Sequence, residues 1–222
     1  MKNRVLIGAV AAFIIITFIL HNSAGAANKA IPTPSVDETL SPAKGQKKIV
    51  FAGGCFWGIQ TVFKHTKGVI SSTAGYSGGE ASTADYETVS EGSSGHAESV
   101  QVVYDPSQVT FGQLLKIFFS VAHDPTELNR QGPDRGTQYR SVIFFNEAEQ
   151  KHIVESYIAQ LESAHFFNNP IVTQVVPLKA FYTAEAHHQD YAENHPYDPY
   201  IVFNDAPKLE NLKKEYPELY VK

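Results

Sequence analysis

The chain of 222 residues holds a single cysteine, Cys55. One thiol excludes an intrachain disulfide, an internal dithiol redox pair and any zinc site built on several cysteines. An excess of basic residues is also missing: Lys+Arg 18 against Asp+Glu 23 leaves a formal net charge of −5. Lys2, Arg4 and Lys29 stand in the first 36 residues without an acid, so the remainder is more acidic still. An acidic body argues against nucleic acid as the main partner. Glycine and proline are modest at 15 and 12 residues, which excludes collagen-like and low-complexity architectures. No repeat of fixed period is visible. G-x-x-x-x-G-K-[ST], a strand-linked G-x-G-x-x-G and H-E-x-x-H are all absent, which removes the usual signatures of phosphate, dinucleotide and zincin chemistry.

What remains is a chain with 43% hydrophobic and 18% charged residues, enough apolar material for one packed domain. It opens on Lys2 and Arg4 ahead of Val5 to Leu20, a run without charge. Basic residues before an apolar run, followed by Ala24-Gly25-Ala26, predict a signal peptide or a retained signal anchor over residues 1–27. As a helix, the run spans roughly 24 Å against a hydrocarbon core of about 30 Å, and the uncharged stretch continues to Asn28. Either form places the body outside the cytoplasm, periplasmic or secreted, with a membrane tether if the segment is retained. Residues 28–46 carry Pro32, Pro34 and Pro42 among small polar residues and predict a flexible linker.

From Lys47 onward strands and helices alternate. Lys47 to Ala52 reads as a buried strand entering a Gly53-Gly54 turn, and Cys55 to His65 shows helical spacing at Phe56, Ile59, Val62 and Phe63. Further strands are expected at Val69 to Tyr76, Ser99 to Tyr104, Ser141 to Phe145 and Val172 to Leu178. Thr110 is placed to cap a helix through Val121. Helices are also expected from Glu147 to Ser163 and from Thr183 to Asn194, a loop over His123 to Gln138, and irregular chain after Pro196. The pattern is a two-layer α+β sandwich, a single domain over residues 47–222.

The sharpest chemistry lies at Gly53-Gly54-Cys55-Phe56-Trp57-Gly58. A cysteine in the first turn of a helix meets free N–H groups and the positive end of the macrodipole, which lower a thiol's pKa. Phe56 and Trp57, the only tryptophan, set apolar surface beside the sulfur. A lone cysteine is otherwise a small buried hydrophobe. Glu185, His187, His188, Asp190 and His195 cluster in sequence, but their spacing does not bring three ligands to one helix face, and no metal site is assigned.

Gly-Cys-Phe-Trp-Gly resembles the active-site pentapeptide of the A-type peptide methionine sulfoxide reductases. Further matches follow in order at Gly75 to Gly79, Tyr86 to Val89, Gly95 to Glu98, Val103 to Pro106, His123 to Pro125 and Gly136 to Ser141. The resemblance implies a ferredoxin-like α/β sandwich and reduction of methionine S-sulfoxide, in proteins and as the free amino acid, to repair oxidised proteins. It assigns Cys55 as nucleophile, Glu98 as acid, Tyr86 and Tyr139 as phenols that hydrogen-bond the sulfoxide oxygen, and Asp134 as a supporting carboxylate. Phe56 and Trp57 match the walls around the substrate's S-methyl group. Cys55 would be left as a sulfenic acid.

One departure matters. Many members carry a second cysteine, often near the C-terminus, and residues 204–222 have none. The expected reductant is therefore an external thiol, thioredoxin-like, glutaredoxin-like or a small thiol, acting on a monomer with no bound cofactor. Two rivals stand beside this: a Cys-His hydrolase or acyltransferase using His96 or His123 as base, and a non-enzymatic extracytoplasmic binding domain.

Overall fold

Alternation along Ile49-Val50-Phe51-Ala52 sends successive side chains to opposite faces, so both faces of this strand must be covered. The computed structural model describes residues 30–222 and shows how. The apolar run at 5–20, with the signal or anchor expectation attached to it, lies outside the described residues. Among the described residues no helix is long and apolar enough to cross a membrane.

In chain order the elements are β1 (Lys47–Ala52), α1 (Phe56–Lys64), β2 (Val69–Ser77), α2 (Tyr86–Ser90), β3 (Ala97–Tyr104), α3 (Phe111–Ile117), β4 (Arg130–Gln131), β5 (Asp134–Arg135), β6 (Val142–Phe145), α4 (Ala148–Ser163), β7 (Gln174–Pro177), β8 (Tyr182–Thr183), α5 (Tyr191–Asn194) and α6 (Ala206–Glu215). The main sheet runs β7-β6-β1-β3-β2-β8. β3 is antiparallel to both its neighbours, with Phe51 opposite Val100 and Tyr76 opposite Glu98. β6 is antiparallel to β1, and β7 is parallel to β6. The central order β6-β1-β3-β2, with α1 joining β1 to β2 and α3 following β3, is the split βαβ arrangement of the ferredoxin-like fold.

Ile49 and Phe51 face the helical layer, where Phe56, Ile59 and Phe63 of α1 and Leu114 and Leu115 of α3 form the main core. Val50 and Ala52 face the other way, onto Ala97, Val142 and Phe144. Thr110 caps α3 as its sequence position predicts: its hydroxyl accepts the Gln113 N–H at 3.2 Å, and Gln113 Oε1 accepts the Thr110 N–H at 2.9 Å.

Three expectations are corrected. Residues 31–46 have no helix or strand, as proline predicts, but they are docked and do not form a loose linker. Ile31 is buried in the main core. The Tyr157 hydroxyl donates to the Pro32 carbonyl at 2.7 Å. Asp37 accepts the Gly112 N–H at 2.7 Å and the Thr110 hydroxyl at 2.5 Å, and Glu38 accepts the Phe111 N–H at 3.0 Å. Two carboxylates thus meet free N–H groups at the start of α3, where negative charge is favoured.

The expected helix at Thr183 to Asn194 is instead β8, a 3₁₀ turn at Ala186–His188 and the single turn α5. Asp190 breaks it, with φ at 56° in the left-handed region. The chain after Pro196 is not irregular throughout: a π-turn at Ile201–Asp205 leads into α6. Pro207 sits in the first turn of α6, where its missing N–H costs nothing, and Leu212 is fully buried.

Candidate active site

β1 ends at Ala52, the chain turns through Gly53 and Gly54, and Cys55 becomes the N-cap of α1. Gly54 has φ at 103°, a value that side chains rarely adopt. A β-carbon on Gly53 would lie 2.8 Å from the His123 ring. The turn therefore needs both glycines, one for its dihedral angle and one for close packing.

Glu98 comes from β3 and is 2% exposed. Its Oε2 accepts the Phe56 N–H at 3.1 Å, so the carboxyl sits at the first turn of α1, one residue from the cysteine. Burial raises its pKa to about 8, with the charges of Asp134 and Asp205 acting in the same direction and the Phe56 N–H opposing them. Near neutral pH this carboxyl holds its proton.

Cys55 departs from the sequence expectation in its ionisation. It keeps 7% exposure. Burial pushes its pKa well above the ordinary thiol range, and Glu98 and Asp205 push it further. The Trp57 backbone N–H and the Lys208 ammonium oppose this and do not prevail. The helix start is there, but removal from water and two carboxyl groups outweigh it. In the resting protein the sulfur is a thiol.

Tyr86 opens α2 and Tyr139 lies in the 3₁₀ turn Thr137–Tyr139 that follows β5. Burial raises both phenols, and the charges of Glu98 and Cys55 raise them further, so both keep their O–H protons. Asp134 in β5 accepts the Tyr200 hydroxyl at 2.5 Å, and burial raises its pKa. Of the site residues predicted from sequence, Glu98 acts electrostatically on Cys55, Tyr86 and Tyr139, and Asp134 acts on Glu98, Tyr86 and Tyr139. Phe56 is fully buried, tilted against Tyr76 at 5.9 Å between ring centres. Trp57 is half-buried and stacks on Tyr191 at 3.8 Å, with Tyr200 edge-on at 5.9 Å.

Residues 47–219 match the family described as peptide methionine sulfoxide reductase. The chain belongs to this family. It is 55% identical over 185 residues to a peptide methionine sulfoxide reductase MsrA 2 of Mesorhizobium japonicum, covering 83% of this chain and 94% of that one. A Synechocystis protein of the same name is 49% identical over 193 residues, covering 86% and 90%. Among solved structures, Mxr1 of Saccharomyces cerevisiae in reduced form is similar with a TM-score of 0.64 and 33% identity, over 74% of this chain and 92% of that one. Methionine sulfoxide reductase A of Corynebacterium diphtheriae gives a TM-score of 0.61 and 38% identity, over 72% and 79%.

The reductase fold brings in residues weighed from sequence only as metal ligands, His188 and Glu185, or not singled out, Asp205 and Lys208. His188 is 3% exposed among the rings of Phe56, Trp57 and Tyr86, and neither ring nitrogen has a hydrogen-bond partner among the described residues. Glu185 accepts the Tyr86 N–H at 2.9 Å and the Tyr76 hydroxyl at 2.8 Å, which ties the start of α2 to β2. Asp205 and Lys208 pair at 3.1 Å behind the first turn of α1. Leu212, four residues beyond Lys208, is a helical-spacing signal that could have found this last group, since Asp205-Ala206-Pro207 is a helix-start pattern.

The two histidines of the hydrolase alternative are engaged elsewhere. His96 accepts the Gly79 N–H at 3.2 Å through Nδ1, and its Nε2 lies 2.9 Å from the Glu80 carbonyl. His123 Nδ1 lies 2.9 Å from the Phe118 carbonyl, and its Nε2 is 2.7 Å from the Ser141 hydroxyl. Burial lowers the His123 pKa to about 4. Among the described residues, no group of three His, Cys, Asp or Glu is placed to hold a metal ion.

Proposed function

We propose that this chain reduces the S epimer of methionine sulfoxide, in proteins and as the free amino acid, through Cys55. The observation that carries the reading is the Glu98 carboxyl, buried, protonated near neutral pH and bonded to the backbone at the start of the cysteine's helix. Sulfoxide oxygen leaves only once it gains protons, so a neutral acid beside the attacking sulfur is what the reaction requires.

Cys55 loses its proton as it attacks the sulfoxide sulfur. Glu98 protonates the departing oxygen, and the phenols of Tyr86 and Tyr139 donate hydrogen bonds to the charge that builds on it. Asp134, oriented by the Tyr200 hydroxyl, supports the same corner of the site. Phe56 and Trp57 supply the apolar wall for the S-methyl group. In the net step the substrate sulfur gains two electrons and becomes a thioether. The Cys55 sulfur loses two electrons and takes the oxygen as a sulfenic acid. A first external thiol condenses with the sulfenic acid, releasing water and forming a mixed disulfide. A second thiol then releases Cys55 as a thiol and leaves the reductant oxidised. The single cysteine requires both thiols to come from other molecules, of which a thioredoxin-type protein fits best because it brings the pair together.

The hydrolase alternative is disfavoured because His96 and His123 both spend their ring nitrogens on other groups. The apolar run after Lys2 and Arg4 supports work outside the cytoplasm. Sequencing the mature amino terminus tests that part, since a start at Ala27 means cleavage. The reductase reading is tested by supplying dithiothreitol and the two separated epimers of a blocked methionine sulfoxide. Turnover of the S epimer alone, lost in Cys55→Ser, is expected; ester hydrolysis without sulfoxide turnover would replace the reading with the hydrolase.

A further inference from the structure

Asp205 and Lys208 form an ion pair whose carboxylate is buried and whose lysine side chain is 16% exposed. Asp205 is 1% exposed, and its Oδ1 takes the Lys208 ammonium at 3.1 Å. Its other oxygen, Oδ2, is enclosed and has no partner among the described residues. Burying an ion pair this way seldom adds to stability, and a half-satisfied carboxylate adds less.

The position of the pair is what distinguishes it. A β-carbon on Gly58 would lie 2.1 Å from Asp205 Oδ1 and 2.8 Å from Lys208 Nζ. Gly58 is the third residue of α1, three beyond Cys55. Only the missing side chain lets the pair close onto the turn that carries the sulfur. The π-turn at Ile201–Asp205 directs Asp205 inward and leaves Phe203 77% exposed, and α6 then brings Lys208 back over the carboxylate.

We propose that Lys208 is a positioning residue for the reaction at Cys55: Asp205 anchors its ammonium at the first turn of α1, and the ammonium favours the attacking thiolate. The assignment rests on the reductase reading and adds to it a group from outside the predicted site.

The charges around the sulfur make the need plain. Glu98 from β3 and Asp205 from the π-turn both disfavour a thiolate, and the charge of Asp134 in β5 disfavours ionisation of Glu98. Tyr86, Tyr139, Tyr191 and Tyr200 come from α2, the turn after β5, α5 and the chain before the π-turn, and burial raises all four phenols, so they stay neutral and offer the thiolate no counter-charge. The Lys208 ammonium favours the charged form of Cys55 and of Asp134 and disfavours the charged form of His123.

The single cysteine makes a clean test, because iodoacetamide alkylation of the native full chain reports Cys55 alone. The logarithm of the rate rises with pH as the thiolate forms. Lys208→Met is expected to move that line to higher pH by about one unit, roughly a tenfold slower reaction at fixed pH, and Lys208→Arg to restore most of it. Asp205→Asn keeps an oxygen to accept from the ammonium and removes the negative charge that disfavours the thiolate, so it is expected to move the line to lower pH. Shifts of the same sign in Lys208→Met and Asp205→Asn would mean a packing role and overturn the assignment, as would coincidence of the Lys208→Met line with wild type. Lys208→Gln serves if Lys208→Met does not fold. Sulfoxide turnover by the wild type, measured on the same preparation, separates the two claims: its absence defeats the reductase reading, whereas unshifted alkylation lines defeat the Lys208 assignment alone.

Discussion

The backbone N–H of Phe56 donates to the Glu98 carboxyl at 3.1 Å, joining the strand that carries the acid to the first turn of the helix that carries the thiol. That bond fixes the carboxyl without ionising it, since burial still holds its pKa at about 8. Glu98→Gln keeps an acceptor for the N–H and removes the proton. Reduction of a methionine sulfoxide peptide should fall by about 10²- to 10³-fold, the range of a lost general acid, with Glu98→Asp losing less. Equal rates in Glu98→Gln and wild type would take the acid out of the mechanism.

The same carboxyl makes stability depend on pH. Its pKa is raised on folding, from 4.5 to about 8, so the folded state binds the proton more tightly. The contribution is fully present below about 4.5 and is lost as pH rises through about 8. Urea unfolding of wild type and Glu98→Gln between pH 5 and 8.5 should show wild type losing stability against the variant as pH rises. A constant difference between the two would contradict the raised pKa.

Asp37 tests the docked amino-terminal segment. Asp37→Ala leaves the Gly112 N–H and the Thr110 hydroxyl without their acceptor and should cost about 1–2 kcal/mol in unfolding free energy. A loose linker would give no change.

Gly53→Ala tests the turn before the cysteine. The added methyl group would lie 2.8 Å from a His123 ring that is held at both nitrogens and has little room to retreat. A loss of about 1–3 kcal/mol is expected by thermal or urea unfolding. Unchanged stability would show that the ring moves freely.

Much of this was legible before the fold. Short β-rich runs at Lys47 to Ala52 and Ser99 to Tyr104 and helical spacing from Phe56 to Phe63 are local signals, and the sheet and α1 follow them. The site residues Cys55, Glu98, Tyr86, Tyr139 and Asp134 lie on five separate segments. Their meeting was legible only through resemblance, because no local pattern brings distant strands and turns together. Two errors share a cause. The Cys55 thiol was expected to ionise from its place at a helix start, and the sign reversed because burial and carboxylates from other segments are invisible in a local window. Asp37 and Glu38 read as solvated linker residues because their partners at α3 are more than 70 residues away. Tyr200, Asp205 and Lys208 were missed for a different reason. Proline, aspartate and tyrosine after Pro196 masked the short apolar spacing of Leu209, Leu212 and Tyr216.

The most direct measurement of the central claim is mass spectrometry of Cys55 after one turnover without reductant. Mixing the protein with excess peptide methionine S-sulfoxide should yield one equivalent of reduced peptide per chain, with one added oxygen on the Cys55 peptide that dimedone traps. Adding a thiol during turnover should convert it to a mixed disulfide. Reduced peptide formed while Cys55 carries neither modification, or no reduced peptide at all, would contradict the account.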